Sequence, residues 1–240
     1  MAQYVVEPST LLPWLPRGLE LDFFRIGSES RCYVSLVGFL FDQVRVKGLG
    51  IPFHRRFEEV NLRFYVTRTE EDGTRKRGVV FLREYVPSPA ISLTAKWIYE
   101  EPYETLPAKH RILLDPDSMR VSYEWRHRGE WQRLAVTADP GPRPIAPQSE
   151  EEFITEHYWG YTKRRRGSTS EYRVEHPRWS VYTVRNFEVK ADFASMYGQP
   201  FAKLNSQEPA SVLLAEGSPV TVFEGRRLAE QSGIGSALGD

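Results

Sequence analysis

Val60-Asn61-Leu62-Arg63-Phe64-Tyr65-Val66-Thr67-Arg68-Thr69, Glu71-Asp72-Gly73-Thr74 and Val79-Val80-Phe81-Leu82-Arg83-Glu84-Tyr85-Val86 read as two strands and the turn that joins them. By the two-residue period of a strand, Leu62, Phe64 and Val66 face one way and Asn61, Arg63 and Tyr65 the other. Asp72-Gly73 readily takes the positive φ that a hairpin turn requires. Outward from this hairpin, Leu19 to Phe23 alternates like a half-buried strand, and Arg31 to Phe41 is a continuous Tyr-, Val- and Phe-rich run suited to a central one. Arg111 to Asp115, Met119 to His127 and Trp131 to Thr137 follow as three antiparallel strands. Tyr158 to Arg164, Glu171 to His176, Trp179 to Val184, Val212 to Leu214 and Val220 to Phe223 complete the strand set.

Helices are few. Ser88-Pro89 opens one that runs from Pro89 to Glu100, Ser149 with Glu152 forms a capping box for one from Glu150 to Tyr158, and a short one near Ala191 to Tyr197 stops at Gly198. Many short strands without strict strand–helix alternation predict an α+β fold, mainly antiparallel β, and argue against a doubly wound nucleotide-binding sheet. Asp139-Pro140-Gly141-Pro142-Arg143-Pro144 is the most linker-like segment. Neither side of it holds a complete strand set, so one β-rich domain over residues 1–225 is expected, with 226–240 a loosely tied tail.

Composition excludes more than it names. The 32 basic and 32 acidic residues cancel, so no global field draws the chain to nucleic acid or an anionic membrane. A single cysteine, Cys32, forms no internal disulfide and suits a reducing compartment. The start of the chain has no leader-like pattern, and its longest apolar run, Tyr33 to Phe41, is far below the roughly 20 residues of a spanning helix. A soluble cytoplasmic protein is the expectation.

Catalytic signatures are absent at the level of motifs. Gly48-Leu49-Gly50 lacks the third glycine of a dinucleotide loop, and Gly167-Ser168-Thr169-Ser170 is no nucleophile elbow. The five histidines show no metal-ligand spacing, so neither metal nor cofactor is expected. Arg75-Lys76-Arg77 and Lys163-Arg164-Arg165-Arg166 read as solvated strand ends rather than an RNA grip. The sharper feature is Arg56-Phe57-Glu58-Glu59-Val60-Asn61-Leu62-Arg63, where Glu59, Asn61 and Arg63 share a strand face. Turned inward they must pair or bind something, because an unpaired buried charge is very costly; Arg83 and Glu84 on the next strand are the natural partners. His157-Tyr158-Trp159-Gly160-Tyr161 suits a core or a pocket wall equally.

Several stretches together resemble the YqjF-like family of uncharacterised bacterial proteins: Leu15-Pro16-Arg17-Gly18-Leu19-Glu20, Phe53 to Val66, Gly78-Val79-Val80-Phe81, Phe153 to Tyr161 and Val174 to Trp179. That resemblance implies an acetoacetate decarboxylase-like fold, a closed or nearly closed antiparallel β-barrel with flanking helices and an interior cavity. It implies a pocket acid at Glu59, but not the decarboxylase's lysine pair, because Tyr103 and Glu104 occupy those positions. Lys109 and Lys96 are near in sequence, and Lys96 is the one credible substitute amine. The candidate catalytic residues are therefore Glu59 and Lys96. The candidate ligand-binding set is Glu59, Asn61, Arg63, Arg83, Glu84, Tyr103, His157, Tyr158 and Tyr161. The expected function is binding of a small anionic or carbonyl-bearing molecule in the barrel cavity. The alternatives are a lyase or hydrolase using a pocket Glu and Arg and, more remotely, an RNA- or partner-binding module. The residues leave catalysis and homo-oligomer formation open.

Elemental analysis of the protein purified without an affinity tag should find no stoichiometric metal; one zinc per chain would overturn this.

Overall fold

Strands β1 (Ala2–Val5), β2 (Tyr33–Asp42), β3 (Arg56–Thr69) and β4 (Arg75–Val86) lie side by side as antiparallel neighbours in the computed structural model. The structure describes residues 1–42, 45–46, 49–50, 56–89, 92, 102–164 and 167–228. The β3–β4 turn closes where Asp72-Gly73 invites it: Gly73 sits at φ +83°, the Glu70 N–H donates to the Thr74 carbonyl, and Asp72 Oδ1 accepts from the Thr74 N–H. At the opposite end of β4, β5 (Tyr103–Thr105) docks in parallel. A meander of β6 (Ala108–Asp115), β7 (Ser118–His127) and β8 (Glu130–Pro144) then builds a second sheet. The chain returns through helix α1 (Glu150–Thr155) to β9 (Trp159–Lys163), which pairs in parallel with the turn end of β4. β10 (Thr169–Glu175) pairs with β9, and β11 (Ser180–Lys190) joins β8 in the second sheet.

The two sheets share one apolar core. Val34, Leu36, Leu62, Phe64, Val66 and Val80 come from the first; Val121, Tyr123, Trp125, Leu134 and Val136 come from the second. Helix α2 (Phe193–Tyr197) closes one side with Phe193 and Met196, and the Trp125 indole N–H donates to Met196 Sδ at 3.3 Å. The expected closed barrel is replaced among the described residues by two large open sheets, with two separate two-stranded ribbons beside them. They are stitched rather than fused: β12 (Ser211–Val212) pairs with β1, and two residues later β13 (Leu214–Ala215) pairs with β11. One short segment thereby ends a ladder in each sheet, because a two-residue strand is too short to carry pairing further.

Other expectations need correction. Residues 139–144 are no linker but the end of β8, where Pro142 to Pro144 pair with Tyr182 to Ser180 of β11. Register shifts between Thr137 and Pro142 admit prolines that lack the ladder N–H. The capping box forms as read, with Ser149 Oγ accepting from the Glu152 N–H and Glu152 Oε2 from the Gln148 N–H. Its helix nevertheless stops at Thr155 rather than Tyr158, and His157 turns inward to Asp22. Arg75-Lys76-Arg77 is no solvated end: Lys76 reaches Glu70 and Glu171 and lies over the Trp159 ring at 3.9 Å. Most of the expected Pro89 to Glu100 helix falls outside the described residues. No helix among the described residues is long and apolar enough to cross a membrane.

A Cβ on Gly78 would sit 2.5 Å from the Trp159 carbonyl oxygen, a backbone atom that cannot move without parting β4 from β9. Gly78→Ala should therefore cost about 1–3 kcal/mol in chemical denaturation, the usual range for overpacking. Gly141→Ala, where a Cβ meets nothing within 4 Å, should be near neutral.

Candidate functional site

β3 is buried on both faces. Val60, Leu62, Phe64 and Val66 enter the shared core, which leaves Phe57, Glu59, Asn61, Arg63, Tyr65 and Thr67 on the other side. There the ladder register assembles a polar row from three strands: Asn61 lies opposite Glu84 on β4, and Glu84 lies beside Tyr103 on β5. Glu59, two residues from Asn61, completes the group. Glu59 and Glu84 are each only 1 % exposed.

A β-bulge puts Glu84 there. Regular alternation would send Val80, Leu82 and Glu84 into the apolar core together. The ladder instead pairs Leu62 with Arg83 and Arg63 with Phe81, so one residue of β4 is extra. Beyond that shift Tyr85 takes the core side and Glu84 faces Glu59.

Asn61 Nδ2 donates to Glu59 Oε1 at 2.9 Å, and the Tyr103 hydroxyl donates to Glu59 Oε2 at 3.2 Å. The Glu84 carboxyl also hydrogen-bonds Glu59, which requires a proton between the two acids. Burial pushes the Glu59 carboxyl up from 4.5 to about 7, opposed by the bonds from Asn61, Glu84 and Tyr103 and by the positive charge of Arg63. Phe57, Val86 and Tyr103 form an apolar cluster around the pair. Asn61 Oδ1 is buried and has no partner among the described residues, an open acceptor beside a shared proton. The group can hold a carbonyl or hydroxyl, and it can give or take a proton near neutrality.

The other candidates lie elsewhere. Arg63 points along the same face, toward the Ile154 carbonyl at 3.4 Å and Met1 Sδ at 3.7 Å. Arg83 pairs with Glu104 at 3.2 Å. Tyr161 is packed into the shared core. The Tyr158 hydroxyl donates to Glu156 Oε2 at 2.6 Å. Lys96 lies outside the described residues.

His157 belongs to a separate network. Its Nε2 is 3.1 Å from Asp22 Oδ2, which also accepts from Arg77 Nε at 2.8 Å, and its ring packs on Tyr65 at 4.7 Å. Burial, with Arg77 and Arg63 nearby, lowers the His157 pKa to about 4 against the pull of Asp22. Burial alone would raise Asp22, but its bonds from His157 and Arg77 hold it below its ordinary value. The sequence reading missed Asp22. Its place in the alternating Leu19 to Phe23 stretch, on the apolar side's neighbour, carries no sign that three other residues converge on it.

A family model described as an uncharacterized conserved protein, DUF2071, matches residues 1–219. No curated protein matches the sequence. Solved structures similar to this chain include an acetoacetate decarboxylase from Legionella pneumophila, with TM-score 0.57 and 14 % identity over 95 % of this chain and 83 % of that one. Another is the enduracididine biosynthesis enzyme MppR, complexed with the condensation product of pyruvate and imidazole 4-carboxaldehyde. It gives TM-score 0.58 and 15 % identity over 96 % of this chain and 87 % of that one. At such identities the likeness speaks for the fold alone.

Glu59 and His157 should leave opposite marks on stability against pH. The raised Glu59 pKa means the folded chain holds a proton that the unfolded chain has released. Its stabilising contribution is complete below 4.5, declines as pH rises, and is gone above about 7. The lowered His157 pKa acts in reverse, with stability present above 6.5 and lost as pH falls toward about 4. The two slopes oppose one another between 4.5 and 6.5. Glu59→Gln should therefore unmask a steeper loss on acidification, read as denaturant midpoint against pH; an unchanged profile would refute the assignment.

Proposed function

This chain belongs to the DUF2071 family of uncharacterized conserved proteins, and from that footing we propose that it binds a small carbonyl-bearing molecule against Glu59 and Glu84. The observation that carries the reading is the pair of buried carboxyls, Glu59 and Glu84, flanked by Asn61 and the Tyr103 hydroxyl, because a hydrogen bond between two acids needs a proton on one of them. A ligand carbonyl can accept that proton as a hydrogen bond, whereas a free anion meets a pair that already carries one negative charge. The carbonyl-bearing half of the expectation is thus favoured over the anionic half. An anionic arm would need Arg63 or Arg83; Arg83 is already paired with Glu104, and Arg63 is turned away toward the Ile154 carbonyl and Met1 Sδ. The carbonyl chemistry in the name of the MppR complex supports the same ligand class. On this reading the two sheets form one ligand-holding unit in the cytoplasm and need no cofactor.

A second reading, a lyase or hydrolase, is favoured by one observation. A carboxyl titrating at about 7 is poised to act as general acid or base at neutral pH. The lysine route is not part of it. Tyr103 offers a phenol, which forms no imine, and Glu104 beside it would raise the pKa of any amine that entered.

Calorimetric titration with the neutral carbonyl compounds methyl pyruvate and acetylacetone should give saturable binding that Glu59→Gln weakens by about ten-fold, the loss of one hydrogen bond to a charged or shared-proton group. Absence of binding to both ligands would refute the proposal. Borohydride added with acetoacetate should leave the protein mass unchanged. A covalent adduct lost in Lys96→Ala would place a reactive amine at Lys96 and replace the binding reading with an enzyme.

A further inference from the structure

At the turn end of the hairpin, a cleft of about 850 Å³ opens between residues 8–15, a short strand at Phe24–Ile26 and α1. It lies roughly 25 Å along β3 from Glu59, eight residues at the rise of a strand, and shares no residue with that cluster. Leu12, Leu15, Phe23 and Phe153 supply an apolar wall, and Arg25, Arg75 and Arg77 supply the cations. Three acids also line it, but two are already engaged. Asp22 is held by His157 and Arg77, and Glu152 by Arg178 at 2.5 Å and by the Gln148 N–H. Arg77 is spent on Asp22 and lies over the Phe153 ring at 4.9 Å. Arg25 has no ion-pair partner among the described residues, and the Arg75 side chain, 60 % exposed, donates from one terminal nitrogen to Asp22 Oδ1 at 3.3 Å and Thr67 Oγ1 at 3.5 Å. Arg25 thus lines the cleft without an ion-pair partner among the described residues, and Arg75 lines it with its guanidinium shared with Asp22 and mostly open to solvent, beside Glu20. At its rim Gln148 holds φ +60°, a costly left-handed conformation for a side-chain-bearing residue of the kind found at ligand clamps.

We propose that this cleft binds a small amphipathic carboxylate, its head on Arg25 and Arg75 and its apolar body along Leu12, Leu15 and Phe23. A planar guanidinium fork matches a carboxylate, and an apolar wall beside it selects a hydrocarbon tail rather than a bare anion. The site is independent of the Glu59 cluster and stands whether or not that cluster binds a ligand.

The fluorescent sulfonate 8-anilinonaphthalene-1-sulfonate serves as the probe, with octanoate, octanol and octylammonium as competitors. The folded protein should bind the probe saturably. Octanoate should displace it about ten-fold more effectively than octanol or octylammonium, the difference made by one good charge-assisted contact. Arg25→Glu and Arg75→Glu should each weaken both probe and octanoate, whereas Arg185→Glu, a matched charge change on the second sheet, and Glu59→Gln should not. Melting temperatures within a few degrees of the parent protein would show that the variants remain folded. Equal displacement by octanol, or undiminished octanoate binding in both cleft variants, would overturn the proposal. So would an absence of saturable binding to the parent protein.

Discussion

The rest of the structure follows from β3 being buried on both faces while only one of them is apolar. A strand in that position cannot leave its polar residues to water. Each group on the second face must find a partner or be neutralised by a proton, because an isolated buried charge costs far more than the fold can spare. The apolar face sets where the second sheet packs, through Leu62, Phe64 and Val66. The polar face sets everything else: the Glu59 cluster at one end and the Asp22–His157 network near the turn.

These two polar groupings solve the same problem by different means. Around Glu59 no cation among the described residues is in hydrogen-bond contact, so burial raises its pKa, opposed by Glu84, by the donors of Asn61 and Tyr103 and by the more distant charge of Arg63. Around Asp22 the guanidiniums of Arg75 and Arg77 supply the countercharge, so the acid stays ionised and the buried imidazole of His157 stays neutral. The first arrangement holds a labile proton, and the second locks three segments of chain together. Only the first has the character of a reactive or ligand-holding group.

Much of this was legible before any coordinates. The alternation of Val60 to Thr69, the Asp-Gly turn and the Ser149 capping box are local signals, each decided within a few residues by backbone sterics and hydrogen bonding. The shared face of Glu59 and Asn61 follows from strand period alone. Glu84 was legible as a partner but not its orientation: continuous alternation through Val80, Leu82 and Glu84 points it into the core, and only the bulge reverses it. The prolines of 139–144 misread as a linker because composition cannot reveal the register shift that admits them to a strand.

The sequence by itself determined the hairpin of β3 and β4 and the three-strand meander that follows it, which face of β3 is greasy, and that its other face carries groups needing compensation. Those properties depend on neighbours two to four residues away. The tertiary structure alone decided that the sheets stay open and are stitched through residues 211–215, that Tyr103 reaches Glu59 across β4, and that Asp22 collects His157, Arg75 and Arg77. Each of these joins residues far apart in the chain. Their pairing is set by packing volume and the balance of buried charge over the whole core, which no local pattern records.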